Sequence, residues 1–403
     1  MPRLLLGLLG LLLAAPAEAQ LAVRGDTVYT MAGPPLVDGV VLVGADGRIE
    51  RVGAAAQVGV PDGYRVLEAV VVTPGLVDAR STVGLSGLLN QEQDQDALDE
   101  GAPLQPALRA LDAYNAADDL VAWLLGFGVT TVHTGHAPGA LAAGQTAIVK
   151  TAYPTLDEAL VDSTAMMAMT LGPSLRRRFE SPGTRARAVA DLRRALYEAL
   201  DHDRKREADD PDDRPARDLD KEALAAVAQG RMPALLEVHR ANDILTALRV
   251  AEEFPRMRLV LSGASEVYHV LDAVRAARVP VVLHPTMMRA GGETENATLE
   301  TARRLHEAGV PFAFQSGYES YVPKTRVVLF EAAVAAAYGL PREAALAAVT
   351  RDAARILSID ARVGSLEPGK DGDLALFDGD PLEHTTHVCA VVVDGRVVRE
   401  DCQ

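Results

Sequence analysis

Apolar positions along this chain fall into two textures. Between residues 21 and 73 they form short runs bounded by turn residues: Leu21-Ala22-Val23, Val40 to Val43, Ile49 to Val52 and Val70 to Val72, with a hairpin at Gly44-Ala45-Asp46-Gly47. The same texture returns after residue 362, in Asp373 to Phe377 and a hairpin around Asp394-Gly395. Between them, short apolar strands alternate with segments whose apolar residues recur at helical spacing, such as Ile244 to Phe254, Val267 to Ala277 and Leu299 to Ala308. That alternation predicts a parallel β/α domain. Its strands are expected at Leu76–Arg80, Val129–Thr134, Thr146–Thr151, Met166–Thr170, Ala234–His239, Leu259–Gly263, Pro280–His284 and Phe312–Ser316. The economical assembly is an α/β fold: a (β/α)8 TIM-type barrel over residues 74–361, with residues 20–73 and 362–403 meeting in one small β-sandwich. The densely charged span Asp201 to Glu222 reads as an exposed loop or helix extension before the fifth strand.

The first nineteen residues read as an export signal: Arg3 is a positive n-region, Leu4 to Ala15 an apolar stretch, and Ala17-Glu18-Ala19 a small-x-small cleavage site. The apolar stretch is shorter than the roughly 20 residues that span a bilayer, so the expected location is periplasmic or secreted, with no membrane association beyond the signal. A net charge of −16, from 40 basic and 56 acidic residues, argues against nucleic acid as a partner. Two cysteines, Cys389 and Cys402, flank the last hairpin. With a two-residue turn Cys389 would face Glu400. A disulfide to Cys402 is conceivable on that register, but we read the pair as two free thiols.

Residues 72 to 82, Val-Thr-Pro-Gly-Leu-Val-Asp-Ala-Arg-Ser-Thr, carry the first hint of chemistry. They resemble the barrel entry of amidohydrolases, where Pro-Gly-(Leu/Ile)-(Ile/Val)-Asp-Ala precedes His-x-His. Gly128-Val129-Thr130-Thr131-Val132, the segment Gly144 to Thr151, Asn242-Asp243-Ile244 with Ala251 to Phe254, and Gly364 to Leu374 resemble the exported imidazolonepropionase-like, dipeptidase-like branch of that superfamily. The resemblance covers nearly the whole mature chain in order. It implies a reactive centre at the C-terminal strand ends, where one or two metal ions activate water against an amide, lactam or ester carbonyl.

At the positions the resemblance marks as metal ligands, this chain departs from it. Arg80 and Thr82 stand in place of His-x-His, Glu237 occupies the fifth-strand position with His239 two residues on, Ser262 replaces the sixth-strand histidine, and Gly317 the eighth-strand aspartate, followed by Tyr318. A guanidinium stays protonated and only donates, so it cannot ligate a cation. The expectation is therefore no cofactor, the alternative being zinc held by a relocated set around Glu237 and His239. His133, His136, Lys150 and His284 also fall near expected strand ends. Lys150 could pair with Glu237, or join Arg80 in a carboxylate-binding pocket. Ser262 with His239 is the one nucleophile-base pair to name, without a Gly-x-Ser-x-Gly elbow behind it. Two functions follow: a non-catalytic binding or partner protein that has lost its metal centre, alternatively a hydrolase of C–N bonds using an atypical site. The partners anticipated are a small amide or carboxylate ligand, a second copy, or an intact amidohydrolase.

Overall fold

The computed structural model describes residues 20–87, 91–284, 290–318 and 327–402, so the export-signal reading lies outside the described residues. Strands β1 (Leu21–Val28), β2 (Leu36–Val43), β3 (Ile49–Ala54) and β4 (Arg65–Pro74) come first; β5 (Leu76–Ser81), β6 (Val129–Thr134), β7 (Ala142–Gln145), β8 (Ala147–Lys150) and β9 (Leu160–Asp162) follow. Then come β10 (Met167–Thr170), β11 (Ala234–Val238), β12 (Leu259–Gly263), β13 (Val281–Leu283) and β14 (Phe312–Phe314), and last β15 (Leu374–Phe377), β16 (Val388–Val393) and β17 (Arg396–Glu400).

Both ends of the chain enter one seven-stranded sheet, ordered β17-β16-β15-β4-β1-β2-β3. One face buries Val23, Val41, Leu67, Val72, Leu374, Leu376 and Val392, which explains the short alternating runs. The central region forms two further sheets, β14-β13-β12-β11-β10-β7 and β5-β6-β8-β9. They share an interior of Val77, Ile148, Leu235, Val260, Val282 and Ala313. β10 to β14 are parallel and buried along their length, as strands covered on both faces must be.

This departs from eight parallel strands in one ladder. The segment around residues 146–151, expected as a third parallel strand, is antiparallel to β6, and β7 is antiparallel to β10. Among the described residues the two sheets meet at a bridge between Ser81 and Gly317 and through Thr146, whose N–H donates to the Met166 carbonyl. The twelve residues between β6 and β8 hold β7 rather than a crossover helix, and β8 returns antiparallel beside β6. The charged span is helical to Arg206; after a short turn at Pro211–Asp213, a helix runs Leu219–Ala228, capped by Asp218 accepting from the Lys221 N–H.

Cys389 and Cys402 are joined in a disulfide, not left as free thiols. The reason is a register shift between Val391 and Val392, which sets Ala390, rather than Cys389, opposite Glu400 and draws Cys402 toward Cys389. Among the described residues, no helix is long and apolar enough to cross a membrane.

Candidate functional site

Parallel strands end together, and a cleft of about 1540 Å³ opens where β5, β10, β11, β13 and β14 end. Thr82, Glu237, His239, His284 and Tyr318 line it. In β11, Leu235 points into the shared apolar interior, so alternation sends Glu237 to the same side one layer higher, at the cleft floor.

Glu237 is 2% exposed, and its Oε1 accepts from His239 Nε2 at 3.0 Å and from the Tyr318 hydroxyl at 2.7 Å. Its Oε2 is buried without a hydrogen-bond partner. Burial alone would push this carboxyl up, but the His239 hydrogen bond and the charges of His239, Arg80 and His284 outweigh it and hold Glu237 far below the usual carboxylate range. Burial likewise works against a charged His239, yet the hydrogen bond and charge of Glu237, with Glu293 and Glu266 beyond, push its pKa above the ordinary histidine value. The two groups thus favour an imidazolium paired with a carboxylate up to a higher pH than an isolated histidine would. His239 Nδ1 lies 2.8 Å from Ser265 Oγ, which fixes the other side of the ring. The His284 ring sits 5.5 Å from that of His239 and 6.2 Å from that of Tyr318.

Arg80 is 3% exposed. Its Nη2 donates to the His136 carbonyl at 3.0 Å, and its Nη1 is buried with no partner. Burial lowers its pKa, offset in part by Glu237 and Tyr318. Neither ring nitrogen of buried His136 has a hydrogen-bond partner, and burial, with the Arg80 charge, drops it to about 4. His133 is held between the Ala79 carbonyl (2.8 Å) and Thr146 Oγ1 (2.6 Å), and burial drops it too to about 4. Asp78 accepts from the backbone N–H groups of Arg80 and Ser316, at 3.1 and 3.0 Å. Burial nonetheless pushes its carboxyl up to about 7.

Several candidates sit elsewhere than expected. Lys150 neither pairs with Glu237 nor joins Arg80: it is buried against Asp371 (2.9 Å), Asp373 (3.1 Å) and Asp394, tying β8 to the seven-stranded sheet. The antiparallel course of β8 is the cause, since Lys150 pairs with Thr131 well below the top of β6. Ser262 is not bonded to His239; its hydroxyl receives Gln315 Nε2 at 3.3 Å, while Ser265 holds the histidine. Thr82 Oγ1 lies 3.4 Å from Ser86 Oγ at the cleft wall. Gly317, at φ 85°, offers only its backbone, and its N–H donates to the Arg80 carbonyl at 3.2 Å. Sequence reasoning missed Ser265, whose one signal is the turn at Gly263 that swings the chain back toward β11. It quoted Asp78 within the entry motif without giving it a role. A second cavity, about 1340 Å³, lies at the opposite strand ends around Pro233, Leu259, Pro280 and Phe312, remote from these groups.

Residues 74–399 match the sequence pattern of the Amidohydrolase family. The chain belongs to that family. The amidohydrolase of Thermotoga maritima is similar in structure, with a TM-score of 0.88 and 29% identity over 94% of this chain and 100% of that one. The imidazolonepropionase of Rhizorhabdus wittichii is 28% identical over 88% of this chain and 92% of its own length. Amidohydrolase tasK of Hapsidospora irregularis is 26% identical over 82% of this chain, which spans only 36% of tasK.

The strand-end residues of this amidohydrolase do not suit the divalent metal that the resemblance implies. Arg80 is a permanent cation with nothing but donors. Both nitrogens of His239 are engaged, and Glu237 Oε1 already accepts two hydrogen bonds. Among the described residues, no group of three or more His, Cys, Asp or Glu converges as a divalent site requires.

Proposed function

We propose that this amidohydrolase cleaves a C–N bond of a small amide or lactam in the strand-end cleft, with Glu237 as its proton shuttle. The observation that carries this reading is that Glu237, a cleft-lining carboxylate held ionised, has an Oε2 that accepts no hydrogen bond. The family relatives named as hydrolases favour turnover over binding alone. In this mechanism Glu237 Oε2 takes a proton from water as the water oxygen bonds to the carbonyl carbon. The positive charge on His239 steadies the oxyanion. Glu237 then passes the proton to the leaving nitrogen as the C–N bond breaks, releasing amine and carboxylate. The neighbours that keep Glu237 ionised also make it a weak base, so turnover is slow. Export of the mature chain is part of the same proposal, favoured by the amino-terminal segment and by a disulfide that suits an oxidising compartment.

A second reading, a binding protein without turnover, is favoured by Arg80 in the first-strand ligand position. One experiment separates them: a panel of N-acyl amino acids, dipeptides and lactams, assayed for amine release with and without a chelator. We expect chelator-insensitive release that Glu237→Gln cuts by about 100-fold or more. Release no faster than buffer, or equal rates for parent and variant, eliminates the hydrolase reading.

A further inference from the structure

We propose that Arg80 binds the carboxylate of a small-molecule ligand, so that the cleft selects substrates bearing a carboxylate near the scissile bond. This narrows the reading above and rests on the same cleft. Arg80 Nη1 is a charged donor with no acceptor, and among the described residues no carboxylate forms an ion pair with the guanidinium. A buried cation in that state calls for an anionic partner. Among the described residues, the carboxylate whose charge reaches Arg80 is Glu237, and its Oε1 is committed to His239 and Tyr318. Arg80 itself does not line the cleft, but residues around it do. Chain neighbour Thr82 lines the cleft, as do the electrostatic neighbours Glu237 and Tyr318. His136, which fixes Nη2, precedes Ala137 on the same wall. With Nη2 anchored on a carbonyl, the guanidinium is pre-oriented and Nη1 is left for the ligand. Thr82 and Ser86, whose hydroxyls lie 3.4 Å apart, line the same cleft as further donors. Lys150, committed to three aspartates, takes no part.

The test compares N-acetylglycine with N-acetylglycinamide, a neutral ligand of nearly the same shape, by calorimetric titration of the intact chain. The acid should bind about ten-fold tighter or better. Arg80→Met should abolish the preference and Arg80→Lys should keep part of it. Equal affinity of acid and amide for the parent protein overturns the proposal without recourse to any variant, as does a preference that survives Arg80→Met. The two readings fail separately. Arg80-dependent binding of acids that are never cleaved sinks the hydrolase and spares this inference. Cleavage of neutral amides with no preference for acids does the reverse.

Discussion

Side chains with the same formal charge are put to opposite uses here. Arg80 and Lys150 are both buried cations near strand ends, but Lys150 is surrounded by three aspartates while Arg80 keeps a donor free. Removing the Lys150 charge would leave Asp371, Asp373 and Asp394 facing one another. Lys150→Met should therefore cost about 3–5 kcal/mol in urea unfolding; a loss under 1 kcal/mol would show that the network is not a structural anchor. Gly263 is the other sensitive position. Its φ is 79°, and a Cβ there would sit 2.7 Å from both Glu237 Oε1 and His239 Cε1. Gly263→Ala should displace this pair and reduce amine release far more than it lowers the melting temperature, with both measured on the same preparation. His239 sets the alkaline limit. Its pKa is raised, so the imidazolium persists above the ordinary histidine value, and activity should fall as pH rises through that shifted pKa. An alkaline limb of the pH profile that is unchanged in His239→Gln would remove His239 from the mechanism.

Among the elements, direction matters more than position. The strand expected at 146–151 exists as β8, but its reversed course carries Lys150 away from the cleft and into contact with the carboxy-terminal sheet. At the other end of the chain, one extra residue in the β16–β17 ladder brings Cys389 and Cys402 into a disulfide across 13 positions. A closed loop of that size restrains the unfolded chain by roughly 3 kcal/mol. The Cys389→Ser/Cys402→Ser variant should lose about 2–4 kcal/mol of stability and leave the cleft's ligand affinity intact, measured by urea melts and titration together. Unchanged stability would mean the bridge does not form in the purified protein.

For the whole molecule, buried titratable groups around the cleft govern the response to pH. His133 and His136 fall to about 4 in the fold. Between about 4 and 6.5 the unfolded chain holds more protons on them, so their contribution to stability grows as pH rises through that window. Asp78, at about 7, has the opposite sign: between its ordinary value and 7 the folded state holds the extra proton, so its contribution declines with rising pH. Replacing His136 with Gln should accordingly shrink the stability gained between pH 4.5 and 6.5 by about 2 kcal/mol. Asp78→Asn should enlarge that gain. A His136→Gln curve parallel to the parent's would refute the buried, neutral assignment.

Hydrophobic periodicity by itself placed every strand of the parallel run β10 to β14, because the period of apolar residues is a local property of the chain. It also put Glu237 and His239 on one side of a strand, which alternation requires. The residue types alone excluded Arg80 as a metal ligand. Tertiary structure decided the rest. Periodicity carries no sign of direction, so the reversal of β8 and the resulting partners of Lys150 were invisible in the sequence. A one-residue register shift leaves no compositional trace, so the disulfide was misread. Ser265 replaced Ser262 beside His239 because a turn at Gly263, not sequence distance, determines which hydroxyl comes back to β11. Contacts across folded space depend on the geometry of the connections, and a linear pattern of side chains does not contain it.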